Sequence, residues 1–196
     1  MTTAQTTPVV AVVLAAGSGL RFDPANPKQL VSLAGTPIVG WSIAAFERNP
    51  RVTDILVVVN AQVRQAVEQL VAAAGYTKVQ AVIDGGAERS DSTEAALRML
   101  ADHGVPADAK VLIHDSVRPF VSQAQIDGCL DALDEFKAAT VACPSTDTIL
   151  LTQDLGDRET VVQVPERRHS FRAQTPQAFR FETIRTAYDL AADDPD

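Results

Sequence analysis

"AVVLAAGSGLRFDPANPKQL", residues 11–30, decides how the chain is read. An apolar run enters a glycine-rich turn, followed by Arg21 and, beyond Pro24 and Pro27, by Lys28. An uninterrupted β-branched run without polar alternation marks a strand buried on both faces, as in a parallel sheet. Ligands of such sheets bind beyond the carboxyl ends of the strands. Glycines there let the backbone approach a ligand and turn N–H groups toward it. Two familiar nucleotide motifs do not fit. A dinucleotide fingerprint requires a third glycine where Phe22 stands, and the next strand, ending at Asn60, arrives too late. A Walker loop requires a Gly-Lys-Ser/Thr ending, which does not follow. What remains is one arginine and one lysine around a loop. Nucleotidyl transfer needs positioned positive charge around the phosphorus under attack. From this stretch alone, Arg21 and Lys28 read equally as that pair or as two solvated surface cations.

Outward from this loop, "VVAVVL", "DILVVV", "VQAVI" and "AKVLIH" read as buried parallel strands. Helical patterns lie between them. "PIVGWSIAAFERN" follows Thr36 and Pro37, an N-cap and first-turn proline by their chemistry. "AQVRQAVEQLVAAAG" ends at Gly75, "RSDSTEAALRML" follows Gly85-Gly86, and "SQAQIDGCLDALDEF" follows "RPFV". The expected fold is α/β: a Rossmann-like, doubly wound, mostly parallel twisted sheet with helices on both faces and right-handed crossovers. "AATVACP" adds a strand, residues 147–174 read as a protruding β-hairpin arm, and "FETIRTAYDLAADD" as a last helix. Residues 1–196 are expected to form a single domain, with no repeat or linker.

Composition limits the partners. A hydrophobic fraction of 46% and a charged fraction of 21% suit a globular protein. The 17 Lys plus Arg against 25 Asp plus Glu give a net charge of -8, a poor match to nucleic acid. No apolar run is long enough to span a bilayer, and "MTTAQTTP" lacks a secretory signal's layout, so a cytoplasmic protein without membrane contact is expected. Cys129 and Cys143 have no ligand-like spacing and read as buried free thiols.

Two further motifs carry chemistry. In "HDSVRPF", Asp115 sits at the end of a buried strand, where a carboxylate needs a partner: a divalent metal on a nucleotide, or Arg118 as a structural ion pair. The small residues of "GGAERSDST" suit contact with a base or ribose, or a helix start capped by Ser90 or Asp91.

Together "AAGSGLRF", "PKQL", "GGAERSDS", "HDSVRPF", "DTI" and "QTPQAF" make the chain resemble the 2-C-methyl-D-erythritol 4-phosphate cytidylyltransferases, within the nucleotide-sugar-pyrophosphorylase-like superfamily. The resemblance covers nearly the whole chain. Leu14 stands where this family usually has proline, Ala87 where a polar or acidic residue is frequent, and Ser116 and Val117 where two alanines are common. The related ribitol 5-phosphate cytidylyltransferases share "HD-x-V-R-P-F" and supply the alternative acceptor. The resemblance implies transfer of the cytidylyl group from CTP to methylerythritol phosphate with release of pyrophosphate, by in-line attack of the acceptor phosphate on the α-phosphorus. It implies Arg21 and Lys28 as the catalytic cations. Ala15, Ala16 and Gly17 are implied at the nucleotide backbone contacts, and Gly86 and Ser92 at the cytidine. It implies Asp115 in the Mg2+ and substrate region, and Arg118, Thr148, Arg167 and Thr175 around the polyol phosphate acceptor. A homodimer exchanging the 147–174 arm, with Arg167 reaching the other subunit's site, is expected, since lone strands carrying Val161, Val162 and Val164 need cover. The family's C-terminal piece, with a lysine near the phosphates, is expected to be absent, because the sequence stops in "DDPD".

Overall fold

A computed structural model describes residues 7–17, 23 and 26–193. Strand β1 (Val9–Ala15) is buried along its whole length, as its unbroken apolar sequence requires. In chain order the other elements are β2 (Ser32–Leu33), β3 (Thr36–Pro37), α1 (Ile38–Glu47), β4 (Asp54–Val59), α2 (Ala61–Ala74), β5 (Val79–Asp84), α3 (Arg89–Asp102), β6 (Lys110–Asp115), α4 (Gln123–Glu135), β7 (Ala138–Pro144), β8 (Leu151–Asp154), β9 (Glu159–Gln163), β10 (Phe171–Arg180) and α5 (Phe181–Asp193). The main sheet has the order β5-β4-β1-β6-β10-β7. β1 pairs in parallel with β4 and with β6, and β4 pairs in parallel with β5. The chain thus builds outward from β1 in one direction and then returns to its other side. The point where the winding reverses lies between β1 and β6, which is where such sheets open a crevice for ligands.

Alternation along β1 divides the core. Val9, Ala11, Val13 and Ala15 pack with Val39, Ile43 and Phe46 of α1, Val63 and Val67 of α2, and Ile126, Leu130 and Leu133 of α4. Val10, Val12 and Leu14 pack with Ala96, Leu97 and Leu100 of α3 and with Phe181 and Ile184 of α5. Helices cover both faces, so the doubly wound reading holds.

The structure departs from the sequence reading in four elements. β5, read as a buried strand, is the edge of the sheet and is only partly buried, because among the described residues it has a pairing partner on one side alone. β10 runs antiparallel between β6 and β7, with a register shift between Ala173 and Gln177. Thr36 and Pro37 do not cap α1 as an N-cap and first-turn pair; they pair as β3 with β2, and Pro37 itself precedes the first helical residue. The reason is the turn at Ala34 (φ 51°) and Gly35 (φ 84°), whose two left-handed residues fold the chain back on itself. The start of α3 is set by Glu88, whose N–H is accepted by Asp91 Oδ2 at 2.9 Å, so Asp91 caps from inside the helix.

Among the described residues, β8 and β9 pair only with each other, joined by a turn through Gly156, and their residues are exposed. Both cysteines are free; Cys129 is buried, which pushes its thiol up, but Cys143, expected to be buried, is only half-buried because β7 lies at the edge of the sheet. Among the described residues, no helix is long and apolar enough to cross a membrane.

Candidate active site

The carboxyl ends of β1 and β6 flank the winding reversal, and the turn after β5 closes on the end of β1. The β1 end runs into buried Ala16 and exposed Gly17. Among the described residues, no heavy atom lies within 4 Å of where a Cβ on Gly17 would sit. Lys28 opens a turn of 3-10 helix, Lys28–Leu30, and is half-buried. The neighbouring Gln29 is buried and bonds back to the main chain of the glycine loop. Arg21 lies outside the described residues.

The end of β5 approaches β1 closely. Gly85 N–H is accepted by Val59 O at 2.8 Å, and a Cβ on Gly85 would lie 2.5 Å from Ser92 Oγ and 2.6 Å from Ala16 Cβ. Only glycine lets β5, β1 and α3 converge here. Buried Ser92 accepts from Gly86 N–H at 3.2 Å and donates to Glu88 O at 3.0 Å, fixing the Gly86 turn onto α3.

Asp115 ends β6. One carboxylate oxygen accepts from Arg89 Nε and the other from Arg118 Nε, both at 3.1 Å. Arg89 also donates to Gln177 Oε1 at 2.8 Å, and Arg118 donates to Gln174 Oε1. The structural ion pair between Asp115 and Arg118 therefore forms, and a second guanidinium joins it. Two cations on one carboxylate leave a local positive surplus in a chain of net charge -8, which suits an anion arriving at the crevice.

Beneath them His114 is fully buried, its ring 5.2 Å from that of Phe46 in a T-shaped contact. Its Nε2 lies 3.0 Å from Arg118 O and its Nδ1 lies 2.9 Å from Thr175 Oγ1. A carbonyl only accepts, so Nε2 carries the proton and Nδ1 accepts from the Thr175 hydroxyl. Thr175 Oγ1 in turn accepts from Asp115 N–H at 3.3 Å. The imidazole is held neutral: burial pushes its pKa down to about 4, while the Arg118 carbonyl and Asp115 oppose the shift.

Thr148 and Arg167 lie at the base of the β8–β9 hairpin, and Arg167 Nη2 donates to Thr148 Oγ1 at 3.3 Å. The sequence reading grouped Asp115 with Arg118, Thr148, Arg167 and Thr175; hydrogen bonds join Asp115, Arg118 and Thr175, whereas Arg167 and Thr148 bond to each other and, among the described residues, to none of those three. It assigned nothing to Arg89, Gln29, Gln174, Gln177 or His114. Each lies inside a motif already singled out, "GGAERSDS", "PKQL", "QTPQAF" or "HDSVRPF".

Among the described residues, no group of three or more His, Cys, Asp or Glu side chains is placed to hold a metal. Asp115 supplies one carboxylate, and each of its oxygens retains a lone pair beyond its guanidinium bond. Mg2+ would be served there as its nucleotide complex, whose phosphates offset the two guanidiniums and supply most of the metal's shell.

Comparison with known proteins agrees with this layout. The family model described as 2-C-methyl-D-erythritol 4-phosphate cytidylyltransferase matches residues 9–195. A 2-C-methyl-D-erythritol 4-phosphate cytidylyltransferase of Bifidobacterium longum (strain DJO10A) is 69% identical over 193 residues, 98% of this chain and 66% of that protein. One from Thermobifida fusca is 42% identical over 188 residues, 95% of this chain and 75% of its own length. The crystal structure of 4-diphosphocytidyl-2C-methyl-D-erythritol synthase from Anaerococcus prevotii superposes with a TM-score of 0.80 at 25% identity, covering 96% of this chain and 77% of that one. The chain thus spans 66% of the length of the Bifidobacterium relative.

Proposed function

The chain belongs to the 2-C-methyl-D-erythritol 4-phosphate cytidylyltransferase family, and from that premise we propose that it transfers the cytidylyl group of CTP to 2-C-methyl-D-erythritol 4-phosphate. The observation that carries the proposal is the convergence at one sheet edge of the glycine loop with its Lys28 turn, the Gly86–Ser92 corner and the doubly paired Asp115. In this reading the glycine loop receives the phosphates, the Gly86–Ser92 corner the nucleoside, and the arginines on Asp115 the acceptor.

In the proposed reaction a phosphate oxygen of the acceptor attacks the α-phosphorus of CTP and pyrophosphate leaves from the opposite side. A phosphate dianion is already a nucleophile near neutral pH, so no general base is required. Catalysis then rests on position and charge. Lys28 and Arg21 neutralise charge that builds on the α-phosphoryl oxygens. Ala15, Ala16 and Gly17 offer backbone to the nucleotide, and Gly86 and Ser92 hold the cytidine. Arg118, Thr148, Arg167 and Thr175 receive the acceptor. Asp115 orients it and would hold Mg2+, which when bound supplies further neutralisation of the triphosphate.

The proposed working unit is a cytoplasmic homodimer of single nucleotidyltransferase domains, each lending its 147–174 arm to the other. Support comes from the arm's own surface: Val161, Val162 and Val164 are 50%, 58% and 53% exposed. Pyrophosphate release should appear on mixing the protein with CTP, Mg2+ and methylerythritol phosphate, and be much slower with ribitol 5-phosphate. Faster release with ribitol 5-phosphate reassigns the acceptor, and release with neither overturns the proposal.

A further inference from the structure

Three consecutive carbonyls enter the glycine loop, and each accepts a hydrogen bond from a side-chain amide. Gln29 Nε2 donates to Ala15 O and to Gly17 O, both at 2.7 Å. Asn60 Nδ2 donates to Ala16 O at 3.0 Å. Gln29 is 3% exposed, and its orientation is fixed by chemistry. Turned over, its oxygen would face two carbonyl oxygens. As placed, Oε1 is buried with no hydrogen-bond partner among the described residues, so the residue spends its amide on the loop. Asn60 serves two elements at once: its Oδ1 accepts from Val63 N–H at 3.2 Å and caps α2.

We infer that Gln29 and Asn60 form an amide clamp on the glycine loop and are positioning residues for nucleotidyl transfer, an inference that rests on the function proposed above. A carbonyl facing a triphosphate repels it, whereas an N–H attracts it. In a trans peptide the two point in opposite directions. Binding the carbonyls of Ala15 and Ala16 to side chains therefore commits the N–H groups of Ala16 and Gly17 to the other side of the chain. Gln29 also follows Lys28 directly, so the bond that orients the loop holds the turn of the catalytic lysine against it.

The test uses two uncharged variants. Gln29→Met keeps length and bulk without donors. Asn60→Ser keeps a good N-cap for α2 but is too short to reach Ala16 O. In each, kcat, the KM for CTP and for the acceptor, the melting temperature and hydrogen exchange in a peptide covering residues 9–17 are measured. Expected are a fall in kcat/KM for CTP of about 10- to 100-fold, as for a displaced catalytic group, and faster exchange in residues 9–17. The acceptor KM should stay within about twofold, and the melting temperature of Asn60→Ser should be nearly unchanged. CTP kinetics within about twofold of the parent in both variants overturn the inference, as does a loss explained wholly by lowered melting. If the parent releases no pyrophosphate with either acceptor, the functional proposal fails by itself. Exchange then decides the clamp alone: faster in the variants upholds it, unchanged removes it.

Discussion

His114 has both ring nitrogens committed, Nε2–H to Arg118 O and Nδ1 to the Thr175 hydroxyl. A second proton on Nδ1 would force that hydroxyl to turn away. The folded pKa is therefore held at about 4, chiefly by burial, against about 6.5 in the unfolded chain. Between these values the unfolded chain binds more protons, so stability is full above about pH 6.5 and falls as the pH drops toward 4. The loss attributable to this residue is about 3 kcal/mol. Urea unfolding of His114→Asn across this range should show a shallower dependence on pH than the parent, and parallel curves would contradict the assignment. Lys28→Ala is expected to lower turnover by roughly 10²–10³ while weakening CTP binding much less, because its charge matters most where negative charge develops. Single-turnover kinetics with a CTP titration separate the two effects. Such chemistry was partly legible in the sequence: Asp115 and Arg118 lie in one short motif and do pair. Arg89 as a second partner was not legible, because its 26-residue separation from Asp115 closes only when β5, α3 and β6 assemble.

At the scale of elements, apolar runs were enough to identify β1, β4 and β6, because burial on both faces leaves no polar alternation to misread. β10 carries no such run. Its place between β6 and β7 comes from pairing partners distant in the chain, and its register shift removes any simple alternation. The glycines separate packing from ligand contact. Gly85→Ala would drive a Cβ against Ser92 Oγ, Ala16 Cβ and Val58 Cγ1, and is expected to cost about 1–3 kcal/mol of stability through overpacking. Gly17→Ala meets no described atom within 4 Å and is expected to melt like the parent. A fall in CTP affinity in Gly17→Ala without a change in melting would mark the loop as a surface of ligand approach. Equal melting of the two variants would contradict the packing account.

For the molecule as a whole, the exposed valines of β9 make association measurable. Val162→Asp is expected to weaken self-association at least about tenfold, by placing a charge in an apolar contact. Sedimentation at several concentrations reads the shift, and an unchanged mass distribution would detach the hairpin from dimerisation. The arm also leaves and rejoins the sheet at one place: Phe171 sits opposite Pro144, and Ser145 N–H is accepted by Ser170 O at 2.8 Å. Everything between these residues is, to the sheet, a long hairpin loop whose closure costs only slowly more as it lengthens. A splice that replaces residues 146–169 with a short turn should therefore fold with its core intact, keep the far-ultraviolet spectrum of an α/β protein, and lose association. On the proposed dimer the hairpin is a cassette, and arms from distant relatives grafted at this seam are expected to change which subunits recognise one another.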